Sequence, residues 1–303
     1  MADVEPYSTA AGVEAAIKDA AKKAAAADPS LNVNERIRLE HFNRFLSRVF
    51  SEGEASEWLL KGGTGMLARV PSARATLDID LYRDGFTLDQ ALADLRRLAS
   101  TDLRDHFRFE YAGHDKSIGG EAQPYTEGYV VTFEVFIGAR SRGTINVDLT
   151  VGAGLTAPVT TADPANALDL PRLVRHEYRL YPVVDQIADK VCATKQTYHD
   201  RPSSREKDLV DLVVLAVTQN VDGTALGLAI STEARRRLME PFDQFVVPND
   251  WGRRYSELAK PVPYCAEFGT VDLARELVAE FINPALTGTA SGRVWSSRDR
   301  AWQ

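Results

Sequence analysis

The sequence predicts an α/β fold of the α+β kind, with an N-terminal α/β part followed by a helical part. Three observations carry this reading. Residues 76–82 (TLDIDLY) alternate, and 128–138 and 143–151 also read as strands. Residues 34–50 place Ile37, Leu39, Phe42, Phe45, Leu46, Val49 and Phe50 near helical spacing behind a plausible cap, Asn34. Beyond residue 180 the periodic segments are helical, near 183–197, 205–219, 232–240 and 271–282.

The elements follow in order. Residues 10–28 are alanine-rich and predict a helix with a weak apolar face. Trp58-Leu59-Leu60 is a short apolar strand running into Gly62-Gly63, and a short helix over 64–69 stops at Pro71. A helix is expected over 87–100 and a strand over 107–113. Residues 113–128, with Gly119-Gly120 and Pro124, are expected as a mobile loop. After residue 155 come Pro158, Pro164 and Pro171, then a strand over 176–181 that leads into the helices. The expected organisation is N-terminal helices over 1–55, a core over 56–170, a helical domain over 171–286 and a flexible tail over 287–303.

Composition narrows the function. The chain has 303 residues, enough to bury a core without staples. Net charge is −7, which excludes a uniformly basic nucleic-acid binder but not a local basic patch. Only Cys192 and Cys265 occur, so no disulfide framework or cysteine-rich zinc site can form, and a cytoplasmic location fits. No apolar run is long enough to span a membrane, and the N-terminus lacks a secretory signal pattern.

The chemistry concentrates in 61–82, KGGTGMLARVPSARATLDIDLY. Asp78 and Asp80, two apart on an expected strand, project from one face with Cβ atoms about 7 Å apart, a spacing that can converge on one or two divalent cations. Thr76 lies on the same expected face. Asp148, flanked by Val147 and Leu149 on another strand, is a third candidate ligand, because a carboxylate among apolar neighbours needs a partner. Gly62-Gly63 would expose backbone N–H groups at a helix start, and Thr64 adds a hydroxyl, a combination suited to phosphate.

Read alone, Asp-Ile-Asp is an exposed strand edge and Gly-Gly a turn; the ordered combination favours a site. Gly63 to Ala68 also matches a dinucleotide fingerprint, but Pro71 ends the helix too early and the acids come too soon and as a pair. No phosphate-loop Gly-Lys-Ser/Thr follows.

In the helical part, Lys190 sits at the edge of the stripe Val183, Val184, Ile187, Ala188 and Val191, from which Asp185 and Asp189 point away. Its ammonium is either aimed into a cleft or snorkelling to the surface. Asp208 and Asp211 share one side of the next helix. Asp208 also fits a first-turn acid favoured by the helix dipole. Asp211 borders the all-apolar run Leu212 to Val217 and is expected at the mouth of a covered region. Arg201, Arg205 and Lys207, with Arg172, Arg175, Arg179 and Arg235 to Arg237, either line a polyanion path or form solvated faces.

These pieces resemble the nucleotidyltransferase-like toxins of the AbiEii family, including the mycobacterial Men-type toxins. The resemblance rests on Lys61-Gly62-Gly63-Thr64, Arg74-x-Thr76-x-Asp78-Ile79-Asp80, Asp189-Lys190 and Lys207-Asp208-Leu209-Val210-Asp211-Leu212, over roughly residues 55–215. Fourteen residues separate Gly63 from Asp78, slightly long for the broader superfamily.

The resemblance implies a polymerase-β-like nucleotidyltransferase core with a mixed sheet, followed by a helical C-terminal part. It implies an NTP substrate held by Gly62, Gly63, Thr64 and Lys190. Catalytic roles fall to Asp78, Asp80, Lys190 and Asp211, with Mg²⁺ (or Mn²⁺) on Asp78, Asp80 and Asp148. The implied acceptor is a nucleic-acid 3′ end, with tRNA expected, translation and growth blocked and a cognate antitoxin protein as partner. Thr76 is a candidate regulatory phosphosite, since a phosphate there would crowd metal and nucleotide. The rivals are nucleotide transfer to a protein hydroxyl or small molecule, and a non-catalytic NTP-binding regulator; a dehydrogenase is more distant.

Overall fold

The computed structural model describes residues 5–71, 73–116, 128–152, 154–197 and 202–303. It divides into two compact units: Met1–Gly120, Thr126–Gly154 and Thr160–Leu180 form the first, and Glu121–Tyr125, Leu155–Val159 and Tyr181–Gln303 the second.

The first unit contains, in chain order, α1 (Ala10–Ala27), α2 (Val33–Val49), β1 (Trp58–Lys61), α3 (Gly62–Arg69), β2 (Ile79–Asp84), α4 (Leu88–Ala99), β3 (Phe107–Lys116), β4 (Gly128–Ile137), β5 (Arg140–Gly152), β6 (Thr160–Ala162) and β7 (Tyr178–Leu180). Among the described residues the strands form one mixed sheet of order β3-β4-β5-β2-β1-β7-β6. β2 runs parallel to β5 and β1 parallel to β7, whereas β1 with β2 and β4 with β5 are antiparallel. The α/β core expected from the sequence is therefore present, with its mixed sheet.

One face of the sheet is closed by α2 and α4. Ile79, Leu81, Val147, Leu149, Val131 and Phe133 are buried there, and Phe45 of α2 packs on Phe109 and Phe133 with ring centroids 5.3 and 5.0 Å away. Burial of α2 comes with charge pairing. Arg48 donates to Asp105 at 2.6 and 3.0 Å, and Arg44 lies 2.8 Å from Glu40, all deep in the unit. The N-terminal helices are thus part of this unit and not a separate layer over 1–55. The sequence hid this because α2 buries charged residues that read as surface.

Two further expectations change in this unit. β2 starts at Ile79 and not at Thr76. Thr76 stays outside the ladder because its hydroxyl turns back to Asp78 Oδ1 at 2.8 Å, a local bond that competes with strand pairing. Residues 113–116 belong to β3, while Gly119, Gly120 and Pro124 lie outside the described residues, as does Arg201.

The second unit contains α5 (Val183–Lys195), α6 (Glu206–Thr218), β8 (Val221–Asp222), α7 (Gly223–Arg236), α8 (Arg253–Ala259), α9 (Val271–Leu286), β9 (Val294–Ser296) and β10 (Ala301–Trp302). α6 is its centre, with Leu209, Val210 and Leu212 to Ala216 fully buried, as its all-apolar run requires. The helix expected over 232–240 instead runs from Gly223 to Arg236, capped by Asp222, whose side chain accepts from Ala225 N–H at 2.7 Å. Gly223 and Gly227 weakened the helical signal, yet they are there for close packing: a Cβ would lie 2.2 Å from the Ala290 carbonyl oxygen at the first and 2.9 Å from that of Ala285 at the second.

Residues 287–303 are not a loose tail. Trp295 pairs with Val221 and Trp302 in the sheet β10-β9-β8, packs on Phe281 and donates from Nε1 to the Ala216 carbonyl at 2.7 Å. No helix among the described residues is long and apolar enough to cross a membrane.

Candidate active site

In the first unit the site is built where β1 turns into α3. Parallel pairing places Asp80 of β2 directly beside Asp148 of β5, and antiparallel pairing places Lys61 of β1 on Asp80's other side. Residues in register on neighbouring strands share a face, with backbones about 4.8 Å apart. Ile79, Leu81, Val147 and Leu149 point into the core, so Lys61, Asp80 and Asp148 stand together on the opposite, partly open face. Two carboxylates side by side repel unless a cation or donor lies between them.

The glycine turn closes against the same carboxylate. Gly62 has φ +59, and a Cβ on it would fall 1.8 Å from Asp80 Oδ2. Only glycine tolerates both that backbone and that approach. Gly63 N–H donates to Asp80 Oδ2 at 3.2 Å, and Asp80 N–H donates to Thr64 Oγ1 at 3.3 Å. A Cβ on Gly63 would sit 2.7 Å from Thr76 Oγ1. Thr76 is only 4% exposed and bonds Asp78, so Gly62, Gly63, Thr64, Thr76, Asp78 and Asp80 form one compact group.

The donor set suits a hard divalent cation, because it is made of carboxylate oxygens. Asp80 and Asp148 are paired by register, whereas Asp78 precedes the strand and spends Oδ1 on Thr76. Among the described residues no three His, Cys, Asp or Glu side chains gather as a metal-binding cluster. The fit is therefore to a two-carboxylate seat at Asp80 and Asp148, with Asp78 adjacent in sequence.

In the second unit α5 and α6 build a different group. Lys190 Nζ lies 2.6 Å from Asp211 Oδ2 and 3.3 Å from Asp208 Oδ1, and Arg205 Nε lies 2.6 Å from Asp208 Oδ2. Lys190 is 6% exposed, Asp208 1% and Asp211 0%. The ammonium is thus clasped between two buried carboxylates and does not emerge at the surface. Burial alone would raise the Asp208 carboxyl, but the charges of Lys190 and Arg205 overcome it and hold the group near 2. Both Asp211 and Asp208 contact the Lys190 ammonium, which the place of Asp208 in the first helical turn only half suggested. Asp185, expected to point away, is buried and accepts from the Thr156 hydroxyl at 2.6 Å. Burial raises its pKa.

Two site neighbours escaped the sequence reading. Lys61 joins the acidic face only through strand register, which no spacing within its own segment reveals. Arg205 was visible as one of several basic residues, but its bond to Asp208 depends on how the chain enters α6.

The sequence matches the AbiEii family, nucleotidyl transferase toxins of type IV toxin–antitoxin systems, over residues 44–270. The chain belongs to this family. This AbiEii protein is accordingly a nucleotidyltransferase, and membership implies an NTP substrate and an antitoxin partner. Two solved structures from Helicobacter pylori are similar to it, each 14% identical. A candidate nucleotidyltransferase aligns over 83% of this chain and 96% of its own with a TM-score of 0.45; the protein JHP933 aligns over 83% and 94% with a TM-score of 0.43. No curated protein matches the sequence.

Proposed function

We propose that this AbiEii protein transfers a nucleoside monophosphate from an NTP to the 3′-hydroxyl of an RNA, with tRNA as the acceptor, and so blocks translation; the hydroxyl loses its proton as it bonds to the α-phosphorus, and the α–β phosphoanhydride bond breaks to release pyrophosphate. The observation that supports this most is the register pairing of Asp80 with Asp148 beside the Gly62-Gly63 turn. It puts cation ligands next to backbone N–H groups of the kind that bind phosphate. Mg²⁺ (or Mn²⁺) held by Asp80 and Asp148, with Asp78 as further ligand, would clamp the triphosphate and lower the pKa of the attacking hydroxyl.

The chain's own residues do the rest. Gly63 N–H and the Thr64 hydroxyl bind and orient phosphate oxygens, and Gly62 keeps the turn free of a side chain. Lys190 is the further catalytic residue that the family resemblance implies, and within the second unit Asp211 and Asp208 hold its ammonium in one place. A 3′ end that carries an added nucleotide cannot be charged with an amino acid, which is the route to growth arrest.

Incubation of the protein with total RNA and each α-³²P-NTP in turn tests the reading. Label is expected on RNA of tRNA size, and Asp80→Ala and Lys190→Ala are each expected to abolish it. Full transfer by both variants, or label on protein instead of RNA, refutes the assignment. Thr76 belongs to the same proposal as a phosphosite. Its hydroxyl lies between Gly63 and Asp78, so a phosphate would place nearly two negative charges in the nucleotide seat. Thr76→Glu is expected to be inactive, and a fully active variant removes the idea.

A further inference from the structure

The Asp80 carboxylate stands in a place that an anion from outside would want. Gly63 N–H is one of the first amides of α3, a donor with no partner inside its own helix. The positive end of the helix dipole adds to its pull on an anion. In this protein that N–H already donates to Asp80 Oδ2 at 3.2 Å. The fit is close: the position of a Gly62 Cβ is 1.8 Å from that oxygen and 2.1 Å from the carboxyl carbon. At the next residue the Asp80 N–H donates to Thr64 Oγ1 at 3.3 Å, so the backbone of Asp80 is tied to the glycine turn while its side chain covers the Gly63 donor. A phosphate oxygen and Asp80 Oδ2 are both anionic acceptors competing for one N–H, and they cannot share it.

We infer that the Asp80 carboxylate is a removable plug in the phosphate seat, so that nucleotide alone is excluded and nucleotide and divalent cation bind cooperatively. The inference rests on the proposed reading of the Gly62-Gly63 turn as the phosphate site. Its logic is competition. While Asp80 holds the Gly63 N–H, an arriving triphosphate meets a carboxylate and loses a donor. A cation shared by Asp80 and Asp148 draws the charge of Asp80 toward the strand pair and releases the amide. The same side chain then works for the nucleotide instead of against it. Protection of the turn against free nucleotide or other anions follows, and it requires no residue outside the site.

A purely structural role for Asp80, tying α3 to β2, makes a different prediction, and binding separates the two. The full chain is titrated with ATP, GTP, CTP and UTP in EDTA and in Mg²⁺, with heat of binding as the readout, beside Asp80→Ala and Asp80→Asn. A melting curve for each variant verifies folding. Wild type is expected to bind its NTP at least about tenfold more tightly with Mg²⁺ than with EDTA, the size of an ordinary coupling between sites. Asp80→Ala is expected to bind the same NTP in EDTA at least about tenfold more tightly than wild type and to lose most of the Mg²⁺ effect. Asp80→Asn keeps an oxygen for the amide but not the charge, and is expected to fall between them.

A folded Asp80→Ala that binds no more tightly than wild type in EDTA overturns the inference; should it fail to fold, the same result with Asp80→Asn overturns it. Wild type that binds with Mg²⁺ while neither variant gains affinity in EDTA defeats the plug alone. Wild type that binds no NTP under either condition defeats the phosphate reading of the turn, and the plug with it.

Discussion

Lys190→Ala tests the buried charge group of the second unit through acid unfolding. Lys190 stands between Asp208 and Asp211, and none of the three is more than 6% exposed. Asp208 ordinarily titrates at 3.8 and is held near 2 in the folded chain. A carboxyl whose folded pKa lies below its unfolded value contributes stability above about pH 4, and that stability drains away as the pH falls toward 2. At about 1.4 kcal/mol per pKa unit, the contribution is about 2 kcal/mol.

Removal of the ammonium does more than erase this contribution. Burial, the largest influence on Asp208, is then opposed chiefly by Arg205, and Asp211 is left beside it without the lysine. Breaking a buried pair by deleting one partner typically costs about 3–5 kcal/mol, a large share of the roughly 5–15 kcal/mol that holds a domain together. Tryptophan fluorescence is a suitable probe, because Trp251, Trp295 and Trp302 belong to the second unit and only Trp58 to the first. Lys190→Ala is expected to lower the Tm at neutral pH and to move the acid midpoint of the fluorescence change upward by about one pH unit. A Lys190→Met/Asp211→Leu double variant is expected to regain much of the Tm while staying inactive, since a packed apolar pair replaces a buried ionic one without loss of stability. An unchanged Tm and an unchanged acid profile for Lys190→Ala would refute the clasp.

Gly62→Ala is expected to abolish nucleotide transfer in a chain that still melts cooperatively, because the methyl lands on Asp80 Oδ2 and the left-handed backbone adds about 1–2 kcal/mol of strain; wild-type transfer would contradict it. His41 is held near 4, mainly by burial and secondarily by the Arg142 charge, so the unfolded chain takes up its proton first as the pH falls from 6.5. About 3 kcal/mol of stability is expected to be lost between pH 6.5 and 4, and denaturant titrations should show the slope flattened in His41→Phe. Arg48→Met is expected to cost about 3–5 kcal/mol by urea melting, because it leaves Asp105 buried without its guanidinium. Trp295→Ala is expected to cost about 3–5 kcal/mol through the cavity under Phe281, whereas a loose tail would show no change.

The candidate site residues stood out in the sequence because they are departures from what a fold needs. Gly62-Gly63 at the end of an apolar strand, Asp78 and Asp80 two apart, and Asp208 and Asp211 on one side of an apolar helix each cost local stability unless something repays it, and a periodic pattern exposes such departures. The same patterns led to the mixed α/β core and the helical part, because hydrophobic period is a local property of the chain.

What the sequence could not contain was pairing between distant segments. That Asp148 is Asp80's neighbour, and Lys61 its other one, follows from strand register, which depends on how whole strands bury their apolar sides. That Lys190 is clasped and not exposed follows from α6 packing on α5 with both acids turned inward. Thr76 left the strand for a bond to Asp78, α2 sank charged residues by pairing them, and the last residues became a sheet because two tryptophans had apolar surface to cover. Period and composition are written residue by residue; partners are chosen only when the chain closes, by the area buried and the charges that must be met there.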